Sequence, residues 1–278
     1  MPTAAAKRRT FRDLHASGCF VIPNPYDRGS SRYLQHLGFK ALATTSAGAA
    51  WSLGLPDRDV PLDVMLDHIR DIAEATDLPV NADFGNAFAD RPEDVAENVR
   101  RCLATGVAGL SVEDQPGDTE TALYDVELAV ERVRAARAAI DAEGSGAVLV
   151  ARSEAYMVRH PDAPKEALRR FERFAEAGAD CLYAPGVRSP AEIADMVRAA
   201  GPKAVNILVG GPIGLTVADL ARLGVRRISV GGALARAAWG AVMRAAEEIA
   251  TKGTFDALGT AAQYDALNRF FIGDRGQA

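Results

Sequence analysis

Residues 147–154 read Ala-Val-Leu-Val-Ala-Arg-Ser-Glu, five apolar side chains in succession followed by a charged and polar end. A run this short, containing β-branched residues and lacking polar alternation, is the signature of a parallel strand covered on both faces. Seven further runs repeat the design, at residues 19–25, 40–46, 78–84, 107–114, 179–186, 203–211 and 226–232. An amphipathic helical pattern follows each of them. Eight βα units on one chain of 278 residues predict an α/β fold, a closed (β/α)8 TIM barrel of the usual ~250-residue size. A doubly wound open sheet is the rival architecture, but it rarely runs to eight units of equal size without a domain break.

Local chemistry marks the helix ends. Asp90 stands three residues before Glu93 and Ser189 three before Glu192, two expected capping boxes with Pro92 and Pro190 in the first turn. Behind the first, Val95, Val99, Cys102 and Leu103 form one apolar stripe for the sheet. Gly38, Gly106, Gly178, Gly201 and Gly224 stand where helices should stop. No low-complexity linker interrupts the pattern, so residues 1–278 read as one barrel domain. The polar segments 55–58 and 115–124 read as extended loops above it. After the eighth run comes a helix over 233–249, then a second segment carrying Leu258, Tyr264, Leu267, Phe270 and Phe271. Terminal helices this apolar, within 233–278, need their own barrel or a partner subunit to cover them.

Composition narrows the function. With 32 basic against 37 acidic residues the formal charge is -5, which offers no electrostatic footprint for nucleic acid. Cys19, Cys102 and Cys181 are too widely spaced for a disulfide framework or a zinc cluster and read as free thiols. No apolar run is long enough to span a membrane, and a soluble cytoplasmic protein is expected.

In a barrel of this kind, chemistry belongs at the C-terminal ends of the strands. Those positions hold Asn24; Thr44, Thr45 and Ser46; Asn81 and Asp83; Glu113 and Asp114; Arg152 and Glu154; Tyr183; Asn206; and Ser229. Asp83 and Glu113, on neighbouring strands, suit a hard divalent cation with several waters, or else pair with Arg152 for structural reasons. Arg152 closes an apolar strand and needs an anion there, either a substrate carboxylate or Glu113 and Glu154. Ser46, Ala47 and Gly48 form a small-residue turn whose N–H groups can face a developing enolate or alkoxide oxygen. The glycines at 210, 211, 214, 231 and 232 allow a phosphate site, although no lysine stands beside them. His160, just after the fifth run, is either a proton carrier or ordinary loop chemistry.

The chain resembles the isocitrate lyase and phosphoenolpyruvate mutase superfamily across nearly its whole length. The resemblance lies in Thr44-Thr45-Ser46-Ala47-Gly48, Leu53-Gly54-Leu55-Pro56-Asp57, Asn81-Ala82-Asp83, Ser111-Val112-Glu113-Asp114-Gln115, Ala151-Arg152-Ser153-Glu154, Gly178-Ala179-Asp180 and Val205-Asn206-Ile207. It implies that Ser46 with the backbone of Ala47 and Gly48 holds the carboxylate and oxo group of a 2-oxo acid. It further implies Asp57 at the reacting portion, Trp51 as an aromatic wall, Thr45 beside the substrate and Asn206 on the far wall. Asp83, Glu113 and the Asn81 position would support Mg²⁺ or Mn²⁺, and Arg152 would bind the substrate carboxylate. The family's last helix is usually exchanged between subunits of a homodimer or homotetramer.

Two departures stand out. Asn81 replaces a metal-binding aspartate, which removes one anionic ligand. The loop 116–124 lacks the Lys-Cys-Gly-His type motif of the lyases that cleave isocitrate or methylisocitrate, which places the chain in a branch without that cysteine. The expected activity is a Mg²⁺-dependent carbon–carbon lyase on a small 2-oxo or 2-hydroxy carboxylic acid, passing through an enolate, with Tyr124 or Asp57 moving the proton. A hydrolase or phosphonyl- or phosphoryl-transfer enzyme, and a catalytically silent carboxylate binder, are the competing readings.

Overall fold

In the computed structural model, which describes residues 2–117 and 123–275, each of the eight apolar runs contains a strand. The order is α1 (Ala4–Ala16), β1 (Phe20–Ile22), α2 (Arg28–His36), β2 (Leu42–Ala43), α3 (Ser46–Ser52), α4 (Leu62–Glu74) and β3 (Val80–Asp83). There follow α5 (Pro92–Leu103), β4 (Gly109–Glu113), α6 (Val126–Ala142), β5 (Val148–Arg152), α7 (Ala163–Glu176), β6 (Cys181–Tyr183) and α8 (Pro190–Ala200). The chain continues with β7 (Ala204–Leu208), α9 (Val217–Arg222), β8 (Arg227–Ser229), α10 (Ala233–Lys252), a short 3-10 turn (Asp256–Thr260) and α11 (Tyr264–Arg275). The strands form one parallel eight-stranded sheet in the order β1-β8-β7-β6-β5-β4-β3-β2. The Ala43 N–H donates to the Pro23 carbonyl at 3.0 Å, which brings β2 back against the chain just beyond β1. The result is a nearly closed (β/α)8 barrel.

The N-terminal helix stoppers the bottom. Lys7 Nζ donates to the carbonyls of Ala73 and Thr76 at 2.8 and 2.6 Å, and Arg8 Nε to that of Val107 at 3.0 Å. Phe11 is thereby driven fully into the barrel end among Phe20, Ile22, Ala108 and Val148. The expected glycine stops hold: Gly106 and Gly178, just past α5 and α7, take φ of 88° and 102°, a region that an L side chain occupies only with strain.

Neither expected capping box closes reciprocally. The N-cap of α5 is Arg91 without a side-chain cap bond, because Asp90 instead accepts the Tyr124 hydroxyl. Ser189 Oγ does accept the Glu192 N–H, at 3.4 Å, but the Glu192 carboxylate takes the Tyr156 hydroxyl at 3.1 Å rather than returning to the cap.

The last helices do not cover the barrel in the ordinary way. Of the twenty residues of α10 only Ala235 is buried, and Trp239, Val242 and Met243 are exposed. Helix α11 turns back so that the Phe270 ring meets Tyr33 and His36 of α2 at 5.3 and 5.2 Å, while Tyr264 and Ile272 face outward. Among the described residues no helix is long and apolar enough to cross a membrane.

Candidate active site

Strand register places the site. Glu113 and Arg152, the last residues of β4 and β5, pair side by side, and Asp83 ends the adjoining β3. Arg152 Nη1 lies 2.7 Å from Glu113 Oε1 and 3.5 Å from Asp83 Oδ1, and its Nε meets Glu154. One guanidinium thus gathers three carboxylates, with the Tyr183 ring centroid 5.2 Å from its carbon. Burial opposes its charge, but Glu113 and Glu154 more than compensate, so Arg152 is held above the ordinary guanidinium value. Burial pushes the Glu113 carboxyl up to about 8, with Arg152 pulling it down and Glu154 and Asp83 pushing it further up.

Helix α3 supplies the opposite wall. Its first residue, Ser46, donates its backbone N–H to Asp83 Oδ2 at 2.9 Å, and Thr44 Oγ1 accepts the Asp83 N–H at 2.9 Å. Thr45 is the N-cap, its Oγ1 accepting the Gly48 N–H at 3.2 Å. Two N–H groups of the Ser46–Gly48 turn therefore already have acceptors in this state. Gly48 is required for packing, since a Cβ there would lie 2.6 Å from Thr45 and 2.9 Å from Tyr26. Asp57 stands at the rim with its carboxyl turned to the Ser46 side chain; lost hydration, then the Asp83 charge, raise it above the usual carboxylate range. Neighbouring Arg58 spans the mouth, donating to Gln115 Oε1 at 2.5 Å and to the Pro116 carbonyl at 3.2 Å.

Two lobes of roughly 100 and 150 Å³ meet at Ser46, Asp57 and Arg152. The first runs under Arg58, Asn86 and Gln115. The second descends past Asn24, Asp83 and Ser229 to Asn81 and Arg227.

The sequence-derived candidates divide accordingly. Thr45, Ser46, Ala47, Asp57, Asn81, Asp83, Glu113 and Arg152 line these lobes. Gly48 sits behind Ser46. Trp51 packs its indole against Gly232 and braces the rim from outside the lobes. Asn206 is fully buried, donating to Ser229 Oγ at 3.0 Å one layer behind the wall. Tyr124 is likewise set back: its hydroxyl is engaged with Asp90 and Asn86, and its ring lies 4.1 Å from the Arg132 guanidinium carbon. The rest of the fourth loop, residues 118–122, lies outside the described residues. His160 is taken up in its own loop, where Nδ1 accepts the Asp162 N–H at 3.2 Å. Arg58 and Arg227 went unnoticed in the sequence, the first in a turn and the second at a strand start.

Asp83 and Glu113 aim oxygens at one point, presently Arg152 Nη1, and two convergent carboxylates fit a Mg²⁺ or Mn²⁺ ion that keeps several waters. They do not make an all-protein cage: no group of three or more His, Cys, Asp or Glu is arranged to hold a metal among the described residues. Asn81 Nδ2 donates to the Ala82 carbonyl at 2.9 Å, and its Oδ1 accepts from Arg227 Nη1 at 3.3 Å.

The profile of phosphoenolpyruvate phosphomutases matches residues 11–250. The chain belongs to that family. A solved structure described as a lyase or mutase from Burkholderia cenocepacia J2315 superposes with a TM-score of 0.93 at 45% identity, covering 97% of each chain. That of 2,3-dimethylmalate lyase, a member of the phosphoenolpyruvate mutase/isocitrate lyase superfamily, gives a TM-score of 0.85 at 26% identity, covering 100% of this chain and 97% of that one. The oxaloacetate decarboxylase of Pseudomonas putida (strain GB-1) is 30% identical over 248 residues, 84% of this chain and 82% of the relative.

Proposed function

We propose that the protein is a lyase that breaks a carbon–carbon bond of a small carboxylic acid, the bond one carbon removed from the carbonyl of a 2-oxo acid or the bond at the carbinol carbon of a 2-hydroxy acid, leaving an enolate. The carrying observation is the Arg152 guanidinium set among Asp83, Glu113 and Glu154 where two lobes meet. The names of the relatives support the reaction class, since a decarboxylase and a dimethylmalate lyase both cleave carbon–carbon bonds.

In this reading the substrate carboxylate takes N–H groups of Arg152 in the bidentate geometry a guanidinium favours. The Ser46 hydroxyl and the Ala47 backbone orient the oxygen on which charge grows. For a 2-hydroxy acid the hydroxyl proton first passes to Asp57; when the bond breaks, its electron pair passes into the enolate, with carbon dioxide (from a 2-oxo acid) or a carbonyl fragment (from a 2-hydroxy acid) leaving. Asp57, raised above the usual range and beside the Ser46 hydroxyl, then returns a proton to the enolate carbon. Asp83 and Glu113 would hold a divalent cation, which would supply Lewis-acid polarisation of the substrate oxygen when bound. Helix α10, with one buried residue in twenty, completes its packing by exchange with a second copy, giving a homodimer or homotetramer.

The test is NMR observation of a panel of 2-oxo and 2-hydroxy diacids with and without Mg²⁺. Loss of a substrate carbon–carbon bond supports the lyase, phosphate release or phosphonate formation from phosphoenolpyruvate run beside the panel favours a transferase, and saturable binding without turnover favours a silent homologue.

A further inference from the structure

The chemistry above leaves one buried cation unused. Arg227 opens β8, and strand register links it through Asn206 and Tyr183 to Arg152 along one laterally paired row. The slant of such rows in a closed barrel carries Arg152 to the mouth and leaves Arg227 on the floor. It is 3% exposed. Among the described residues its only side-chain hydrogen bond goes to the neutral Oδ1 of Asn81, at 3.3 Å, and its Nε has no partner. The Phe11 ring, 5.9 Å below, is its support from the plug helix.

A buried guanidinium without an anion is costly. No carboxylate forms an ion pair with Arg227 among the described residues, and Asp83, the carboxylate whose charge acts on it, is already taken by the Ser46 N–H and Arg152. Arg227 nonetheless borders the same lobe as Arg152. Gly109 lets the strands close beneath Asn81, since a Cβ there would lie 2.7 Å from the Val148 carbonyl, 2.8 Å from Phe11 and 3.1 Å from Asn81 Oδ1. The lobe therefore has a cation on its wall and an incompletely satisfied cation at its bottom.

We infer that Arg227, presented by Asn81, is a specificity-determining residue that binds the second carboxylate of a dicarboxylate substrate whose first is held by Arg152. This rests on the reading of the lobe as a carboxylic acid site. An aspartate at position 81 would satisfy the guanidinium internally; the amide leaves its charge available to a ligand.

Malate and lactate test it, because both are 2-hydroxy acids and malate carries the additional carboxylate. In titration calorimetry at fixed salt, wild type is expected to bind malate at least tenfold more tightly than lactate. Arg227→Met should remove that preference by weakening malate at least tenfold while lactate stays within twofold. Arg227→Gln, still able to donate to Asn81 Oδ1 but without charge, should do the same and covers the case in which Arg227→Met does not fold. Equal affinity of wild type for the two acids, no binding of either at millimolar concentration, or parallel loss of both in the variants overturns the inference. Turnover is a separate readout: a malate preference that depends on Arg227, with no bond cleavage in the NMR panel, leaves the inference standing and rejects the lyase.

Discussion

Replacing Arg152 with Ala addresses structure and chemistry together. The substitution leaves Asp83, Glu113 and Glu154 facing one another without their shared cation. Removing one partner from a buried ion-pair cluster costs about 3–5 kcal/mol. Here the lower end is expected, because Glu113, whose carboxyl already sits at about 8, is then fully protonated near neutral pH and relieves part of the repulsion. A loss of about 3 kcal/mol against a typical stability of about 5–15 kcal/mol leaves the barrel folded. The substrate, by contrast, loses its charge-assisted anchor, worth about 2–5 kcal/mol, so kcat/KM should fall about 30- to 5,000-fold. Urea denaturation with linear extrapolation reads the first quantity, and NMR-followed turnover of whichever diacid is cleaved reads the second. The double variant with Glu154→Gln, which removes one of the stranded carboxylates, should recover stability without recovering turnover. Wild-type kcat/KM in Arg152→Ala, or activity regained by the double variant, would refute the reasoning.

Two other expectations follow from features outside the mouth. His15 is half-buried beside Phe11 and Phe20, and the lost hydration, aided by the Arg227 charge, lowers it to about 3. Because its folded value lies below the unfolded ~6.5, the unfolded chain takes up the proton first, and stability present above pH 6.5 is lost as pH falls below it; wild type should lose about 1.4 kcal/mol between pH 8 and pH 5.5 relative to His15→Gln. Parallel pH profiles for the two proteins in urea titrations would contradict this. Val242 and Met243 are exposed on α10 of the single chain, where a charge costs less than about 0.5 kcal/mol. If a second copy covers that face, Val242→Glu with Met243→Glu should convert the wild-type oligomer to monomer in light scattering coupled to gel filtration; a wild type that is already monomeric at micromolar concentration rejects the exchange.

The barrel was legible because its strands are buried on both faces, so each reads as an unbroken apolar run such as Val148-Leu149-Val150-Ala151. The caps were less so: Asp90 has the right type and spacing for α5, yet a hydroxyl arriving from Tyr124, 34 positions away, claims it. Long-range competition of that kind leaves no local trace. The same limit governed the site. Reading strand ends found Asp83, Glu113 and Arg152, but whether the arginine's anion is internal could be settled only by register, which sets Glu113 beside it and brings Asp83 within 3.5 Å. It also passed over Arg227, because a rule that looks at where strands finish has no reason to inspect where β8 begins. Sequence did mark Asn81 as a missing acid, and read alone that loss weakens a metal site. Placed 3.3 Å from a buried guanidinium, the amide has a second consequence, since a carboxylate there would neutralise the only charged group on the second lobe's floor. Position 81 thus bears on two ions of opposite preference, and the exchange that costs a cation a ligand leaves an arginine free for an anion.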